Sequence, residues 1–244
     1  MKKKTIWKIM AVFLAVILTA GIACAVYIND FYPANEMALE ALISDEKVEV
    51  TELTNGDYVF MPENPAAGLI FYPGGKVEHT AYAPLMRLYA EYGILCVLVK
   101  MPAKLAVLDM NAAKGIPEQY PDIKEWYIGG HSLGGSMAAG YAAKNAQEFE
   151  GLLLLASYST ADISQSGLDV LSVYGSEDEV LNMEKYEENI GNLPSDVQER
   201  VIEGGCHAYF GSYGEQEGDG TATINPIEQM KITLEMSMET IFSQ

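Results

Sequence analysis

The chain has 244 residues, of which 49% are hydrophobic and 20% are charged, and its formal net charge is −19. This length and apolar content suit one globular domain with a sizeable core, and they argue against a disordered chain, a collagen-like repeat or a multi-span membrane protein. The excess of acidic residues would repel a polyphosphate backbone, so we expect no nucleic-acid partner.

Charge is distributed unevenly along the chain. Four of the 15 basic residues are Lys2, Lys3, Lys4 and Lys8, whereas all 34 acidic residues lie from Asp30 onward. The chain beyond residue 29 therefore carries a net charge of −23. Two segments with different properties meet near residue 30.

Residues 9–28 contain no charged side chain, and an apolar helix of that length spans a bilayer core. A lysine cluster before such a helix favours a cytoplasmic N-terminus, so we expect a transmembrane signal anchor over residues 1–29. The remaining chain would then lie on the extracytoplasmic side of the cell membrane. Two alternatives stay open: cleavage at Ala23-Cys24-Ala25, which would release a secreted protein, and lipid modification of Cys24.

The pattern changes after the apolar run. Apolar side chains at helical spacing predict a short amphipathic helix over residues 30–44, so that residues 30–46 form a connecting helix. A single α/β domain over residues 47–244 would follow and begin with two short strands, 47–53 and 58–61, joined by an Asn-Gly-Asp turn.

Apolar runs then recur with segments long enough for helices between them. Runs that are apolar at consecutive positions are typical of parallel strands buried on both faces. Further strands are predicted at 68–72, 94–99, 126–128, 152–155, 170–174 and 199–202, and helices at 80–92, 103–114, 133–147, 182–192 and after an Asn225-Pro226 start. This alternation predicts a mostly parallel, doubly wound α/β sheet of about eight strands. The short 157–168 segment leaves no room for a large lid.

The strongest motif is Gly130-His131-Ser132-Leu133-Gly134, between a predicted strand and an alanine-rich helix. G-x-S-x-G at such a turn is typical of a serine nucleophile, because the strained turn exposes the hydroxyl and the glycines let strand and helix approach closely. The helix N-terminus favours the oxyanion that forms when the serine attacks a carbonyl. Ser132 is the candidate nucleophile, and a simple helix cap is the alternative.

A serine hydroxyl needs a base, and the base needs a carboxylate that fixes its tautomer. Asp178 and His207 each follow a predicted parallel strand, so we expect both at the sheet edge that carries Ser132. Glu177 and Glu179 are alternatives for the carboxylate.

Backbone amides are expected to bind the oxyanion. Leu133 supplies one candidate amide, and the glycine-rich turn after the 68–72 strand supplies a second, from Gly75 or Lys76. His131 and His79 are expected to be structural or to line a pocket, and Cys206 to pack in the core. The scattered histidines and cysteines give no metal-ligand spacing, and we expect neither a metal nor a cofactor.

From about Val48 to its C-terminus the chain resembles the α/β-hydrolase superfamily, in which the triad follows the chain order serine, aspartate, histidine. Four further stretches are similar to a membrane-anchored bacterial group often called dienelactone-hydrolase-like: 72–77, 81–85, 99–107 and 218–224. The resemblance implies Ser132 as nucleophile, Asp178 as acid and His207 as base. The dienelactone hydrolases proper have a cysteine at the Ser132 position, so lactone substrates are not implied.

The sequence therefore predicts a serine hydrolase that cleaves a small-molecule carboxylic ester or thioester through an acyl-enzyme, at a site open to solvent. An acyltransferase or a peptidase would use the same triad. A non-catalytic binding module on the same scaffold is the alternative from another class.

Overall fold

The computed structural model describes residues 2–242, with side chains described over 7–242. The chain divides into two compact units, Met1–Phe31 and Tyr32–Gln244. The first unit is built on one helix, α1 (Lys2–Asn29). Its segment Trp7–Asn29 is long and apolar enough to cross a membrane, and a signal sequence has the same properties.

The predicted connecting helix is mostly wrong. Tyr32 pairs with Val77 as an isolated parallel bridge, and helix α2 covers only Glu36–Glu40. Pro33 disfavours helical backbone at Tyr32, the residue before it. The Asn35 side chain then caps α2.

The second unit is built on a single sheet. Its strands are β1 (Val48–Glu52), β2 (Tyr58–Pro62), β3 (Ala67–Tyr72), β4 (Ile94–Leu98), β5 (Trp126–His131), β6 (Gly151–Leu155), β7 (Asp169–Gly175) and β8 (Gln198–Ile202). Across the described residues their order is β1-β2-β4-β3-β5-β6-β7-β8. Strand β2 is antiparallel to β1 and β4, and all other neighbours are parallel. The predicted α/β sheet is confirmed.

Helices cover both faces of this sheet. They are α3 (Ala83–Glu91), α4 (Leu133–Asn145), α5 (Met183–Asn189) and α6 (Pro226–Glu239). Alternate residues of β3 enter opposite cores: Leu69 and Phe71 pack with α3 and α6, whereas Ile70 and Tyr72 pack with α4. Burial on both faces explains why the strand is apolar at consecutive positions.

One predicted crossover helix is wrong. Residues 103–114 form short 3₁₀ turns and other turns instead. Ala103 and Lys104 have φ angles of 50° and 59°, which interrupt any α-helix. The Lys104 carbonyl accepts a hydrogen bond from the Lys76 amide at 2.9 Å, so this segment supports the loop that follows β3.

The parallel strands β3 to β8 end at one edge of the sheet, and their loops meet there. Residues 157–168, between β6 and β7, form turns and bends without a helix. The sequence predicts no large lid at this position, and residues 157–168 contain none. The loops after β3, β5, β7 and β8 therefore form an open edge.

Candidate active site

Ser132 lies at the turn between β5 and α4. Its φ of 52° and ψ of −123° are strained for a residue with a Cβ. The Ser132 amide donates to the Leu155 carbonyl at 2.9 Å, and the Ser132 carbonyl accepts the Ser157 hydroxyl at 2.7 Å. These two bonds hold the turn. Nothing in the sequence pattern singled out Ser157, because its contact depends on the pairing of β5 with β6.

The glycines of the motif allow β3 and α4 to approach. A Cβ on Gly134 would lie 2.3 Å from the carbonyl oxygens of Tyr72 and Pro73. A Cβ on Gly130 would lie 2.6 Å from the carbonyl carbon of Gly134. Both distances are far below van der Waals contact, so only glycine fits at these two positions.

His207 and Asp178 form a buried pair. The His207 Nδ1 lies 2.9 Å from the Asp178 Oδ2, and the two side chains are 2% and 1% exposed. Because an ionised carboxylate only accepts hydrogen bonds, Nδ1 carries the proton and Nε2 is left with a lone pair. The carboxylate is fixed by two further donors, the amides of Val180 and Leu181, at 2.9 and 2.8 Å. Of the three acidic side chains at 177–179, Asp178 is the one that meets His207.

Ser132 and His207 line the same cleft, which has a volume of about 270 Å³. Its other walls are Leu133, Ser136, Ala156, Ser157, Tyr158, Thr160, Val180, Leu181 and Asn182. A larger cavity of about 420 Å³ next to Pro73 contains no member of the predicted triad. The smaller cleft is therefore the candidate site.

The structure distinguishes between the two amides predicted as the second oxyanion donor. The Lys76 amide donates to the Lys104 carbonyl at 2.9 Å and is not available to an oxyanion. The prediction of Lys76 as the second oxyanion donor is therefore wrong. Gly75 lies against Leu133, since a Cβ at Gly75 would be 3.0 Å from the Leu133 Cδ2. Within the described part of the chain, neither the Gly75 nor the Leu133 amide donates to a loop carbonyl. These two amides remain the candidate pair.

His131, next to the serine, is 1% exposed and lies against His207, with ring centroids 4.5 Å apart. Burial, and then the nearby His207, hold the pKa of His131 well below its ordinary value. The His131 Nδ1 is 2.7 Å from the Tyr82 hydroxyl, which accepts the Gly74 amide at 3.0 Å. Since the hydroxyl accepts from Gly74, its own proton is available to Nδ1 of a neutral imidazole. Tyr82 lay in a stretch that resembled the family but had no predicted role.

Asp219 is a second residue that sequence reasoning left without a role. Its carboxylate accepts the amides of His207 at 3.1 Å and Ala208 at 2.8 Å, and so fixes the backbone of the histidine loop. The Gly-Asp-Gly motif at 218–220 was the available signal. Cys206, beside the histidine, is buried, and burial is the main cause that raises its pKa to about 12. The protonated Cys206 thiol therefore packs in the protein interior, as the sequence predicts.

Comparisons with known proteins agree with this fold. The sequence profile of the alpha/beta hydrolase family matches residues 68–231. TT1662 from Thermus thermophilus is 15% identical with a TM-score of 0.60, over 79% of this chain and 98% of that one. Est1E from Butyrivibrio proteoclasticus is 13% identical with a TM-score of 0.58, over 82% of this chain and 100% of that one.

A third solved structure is MGS-MChE2, an alpha/beta hydrolase enzyme from a sediment metagenome of the lagoon of Mar Chica. It is 12% identical with a TM-score of 0.58, over 78% of this chain and 98% of that one. At such low identities these likenesses show the fold alone. No curated protein sequence matches the chain. Because the family profile covers more than half of the chain, the protein belongs to the alpha/beta hydrolase family and is an enzyme of the hydrolase type.

Proposed function

We propose that the protein hydrolyses a small-molecule carboxylic ester or thioester, with Ser132 as nucleophile, His207 as base and Asp178 as orienting carboxylate. One observation carries the proposal: the buried His207–Asp178 pair at 2.9 Å opens onto the same cleft as a serine in the strained elbow conformation. That arrangement supplies a base of fixed tautomer to a positioned hydroxyl.

In the first half of the reaction, the His207 Nε2 accepts the hydroxyl proton while the Ser132 Oγ forms a bond to the carbonyl carbon. The carbonyl electron pair moves onto oxygen, and the Leu133 and Gly75 amides stabilise that charge. Collapse of the intermediate expels the alcohol or thiol, which takes the proton from His207 and leaves an acyl-enzyme. The Asp178 carboxylate stabilises the imidazolium throughout.

In the second half, water replaces the departed group. His207 accepts a proton from water, whose oxygen attacks the acyl carbon, and the same amides bind the new oxyanion. Collapse breaks the bond to Ser132, and the proton on His207 returns to the serine oxygen. An open edge without a helix over 157–168 gives water access, which favours hydrolysis over transfer to another acceptor.

The volume and the lining of the cleft also favour one class of substrate, esters of short acyl groups. A volume of about 270 Å³ and apolar walls from Leu133, Ala156 and Leu181 suit short acyl groups such as acetyl or butyryl, whereas a long acyl chain exceeds this space. We further propose that α1 anchors the enzyme in the cell membrane with the hydrolase unit on the extracytoplasmic side, because a lysine cluster precedes the apolar helix.

A fluorophosphonate probe tests the nucleophile directly. We expect full-length protein to be labelled, Ser132→Ala to be unlabelled, and Ser136→Ala, which alters another serine of the same cleft, to be labelled as well as wild type. Turnover of p-nitrophenyl acetate should fall by at least about 10³-fold in Ser132→Ala. Equal labelling of Ser132→Ala, or no labelling of wild type, contradicts the assignment.

A panel of p-nitrophenyl acetate, butyrate and palmitate tests the substrate class with the same proteins. We expect kcat/KM to fall from the short esters to palmitate. A non-catalytic binding module would show no Ser132-dependent turnover of any of them.

A further inference from the structure

Residues 32–35, which we name the strap, are bonded to the loop that follows β3. The Tyr32 amide donates to the Lys76 carbonyl at 2.8 Å, and the Tyr32 carbonyl accepts the Glu78 amide at 2.9 Å. The Ala34 amide donates to the Glu78 carboxylate at 2.9 Å. The backbone of Tyr32 is therefore used on both sides, as in a strand and unlike a solvated linker.

The loop at these contacts is strained and lies next to the candidate oxyanion donor. Lys76 has a φ of 58°, a conformation that a residue with a Cβ adopts only where its surroundings impose it. Two bonds impose it: the Lys76 amide donates to the Lys104 carbonyl, and the Lys76 carbonyl accepts the Tyr32 amide. The Gly75 N–H belongs to the same peptide unit as the Gly74 carbonyl, which accepts the Val77 amide at 3.4 Å, so its direction depends on the turn that Lys76 and Val77 close.

The strap also holds the segment that follows the histidine loop. The Asn35 amide donates to the Ser212 carbonyl at 2.9 Å, and the Ser212 hydroxyl donates to the Asn35 Oδ1 at 2.8 Å. The Tyr32 hydroxyl accepts the Glu217 amide at 3.1 Å, and the Tyr32 ring lies 5.6 Å from that of Tyr213.

This second set of contacts leads to the candidate base. Asp219 lies two residues beyond Glu217, and its carboxylate accepts the amides of His207 and Ala208. One short segment thus fixes the loop of the candidate oxyanion donor and the segment that orients the candidate base.

We propose that the strap positions the active site, with Tyr32 as the positioning residue, so that turnover depends on the four residues that follow the α1 unit. This inference rests on the proposed function, since it takes Gly75 as an oxyanion donor and His207 as the base. The strap does not touch the cleft and acts through the two loops. Because an oxyanion contact is strongest in the transition state, loss of the strap lowers kcat and leaves KM nearly unchanged.

Proline variants of the full-length chain test the backbone contacts. Tyr32→Pro removes the N–H that the Lys76 carbonyl accepts. Glu36→Pro is the matched control, because it places proline at the first residue of α2, where no intrahelical N–H bond is needed. Tyr32→Ala keeps the amide and removes the ring and hydroxyl.

We expect kcat on p-nitrophenyl acetate to fall at least about tenfold in Tyr32→Pro, with KM within about twofold of wild type. Glu36→Pro should match wild type, and Tyr32→Ala should keep more activity than Tyr32→Pro. If Tyr32→Pro has the kcat of Glu36→Pro, the positioning role is overturned.

Hydrogen–deuterium exchange supplies a readout that does not depend on activity. We expect faster exchange in residues 72–78 and 205–220 of Tyr32→Pro, with the sheet protected as in Glu36→Pro. If Tyr32→Pro loses protection across the sheet, Glu78→Ala decides, since it removes the carboxylate that accepts the Ala34 amide and leaves the backbone unchanged, and an unchanged kcat there overturns the role. If wild type shows no Ser132-dependent turnover, the proposed function fails, and unchanged exchange in both segments separately overturns the strap.

Discussion

Backbone strain is concentrated around the candidate site. Five described residues other than glycine have positive φ: Lys76, Ala103, Lys104, Ser132 and Ala156. They follow β3, β4, β5 and β6, at the edge where the parallel strands end. Such conformations each cost on the order of 1–2 kcal/mol, so hydrogen bonds must hold them. The Ala156 amide donates to the Val173 carbonyl at 2.7 Å, as other loop bonds hold Lys76 and Ser132. Strain at this edge is typical of a preorganised active site.

The histidine next to the serine illustrates how burial controls charge. His131 is buried against His207, and its depressed pKa keeps it neutral. A second positive charge would oppose the imidazolium that the proposed mechanism forms on His207. A neutral His131 avoids that repulsion.

This buried histidine predicts how stability depends on pH. In the unfolded chain histidine binds a proton near pH 6.5, whereas folded His131 stays neutral, so protonation favours unfolding. His79 contributes in the same direction, because burial lowers its pKa too. We expect stability to be maintained above about pH 6.5 and to fall below it, by up to about 1.4 kcal/mol per pH unit for each histidine.

Thermal midpoints of the full-length chain between pH 5 and 8 measure this effect. The His131→Phe variant should show a weaker decrease below pH 6.5 than wild type, whatever its absolute midpoint. An equal decrease in the two proteins would show that His131 is protonated in the folded state.

At the scale of elements, the packing of α4 on β3 depends on the absence of side chains. The Cβ that Gly134 lacks would meet two backbone oxygens at 2.3 Å, and backbone cannot rotate away as a flexible side chain can. The two glycines of the elbow are therefore structural requirements of the turn that carries Ser132.

Gly134→Ala should push α4 away from β3. We expect a loss of about 2 kcal/mol or more in the free energy of unfolding and loss of fluorophosphonate labelling, because the elbow moves with the helix. Gly191→Ala is the control, since a Cβ there meets nothing within 4 Å, and its stability should stay within about 0.5 kcal/mol of wild type. Normal stability and labelling of Gly134→Ala would contradict the packing argument.

The buried strands were predictable because burial on both faces leaves consecutive apolar residues, as in β3 and β4. The elbow was predictable because the turn restricts residue types at Gly130 and Gly134. The segment 103–114 was not, since its turns are imposed by tertiary contacts such as that of Lys104 with Lys76. The contacts of Ser157 and the strap were hidden for the same reason, because each joins segments distant in sequence and leaves no periodic pattern.

At the scale of the whole molecule, the boundary between the two units differs from the change in sequence pattern. Periodicity places the start of the α/β domain at residue 47, whereas the compact unit begins at Tyr32. Residues before 47 contribute to its core, since Ala38 is fully buried and Ala41 is 8% exposed. Together with the strap contacts, this makes the segment 32–46 part of the hydrolase unit.

Deletion of residues 1–29 should therefore separate anchoring from catalysis. The remaining chain keeps the strap and the complete hydrolase unit, and its net charge of −23 favours solubility. We expect a soluble protein whose kcat on p-nitrophenyl acetate is within about twofold of the full-length chain, as measured in detergent.

Deletion of residues 1–46 is the matched comparison. It removes the same apolar helix, but also the strap and the buried alanines of α2 and its C-terminal turn, so we expect lower stability and a large loss of kcat. Equal activity of the two truncated proteins would show that residues 30–46 are only a linker. Loss of folding after removal of 1–29 alone would show that the hydrolase unit needs α1.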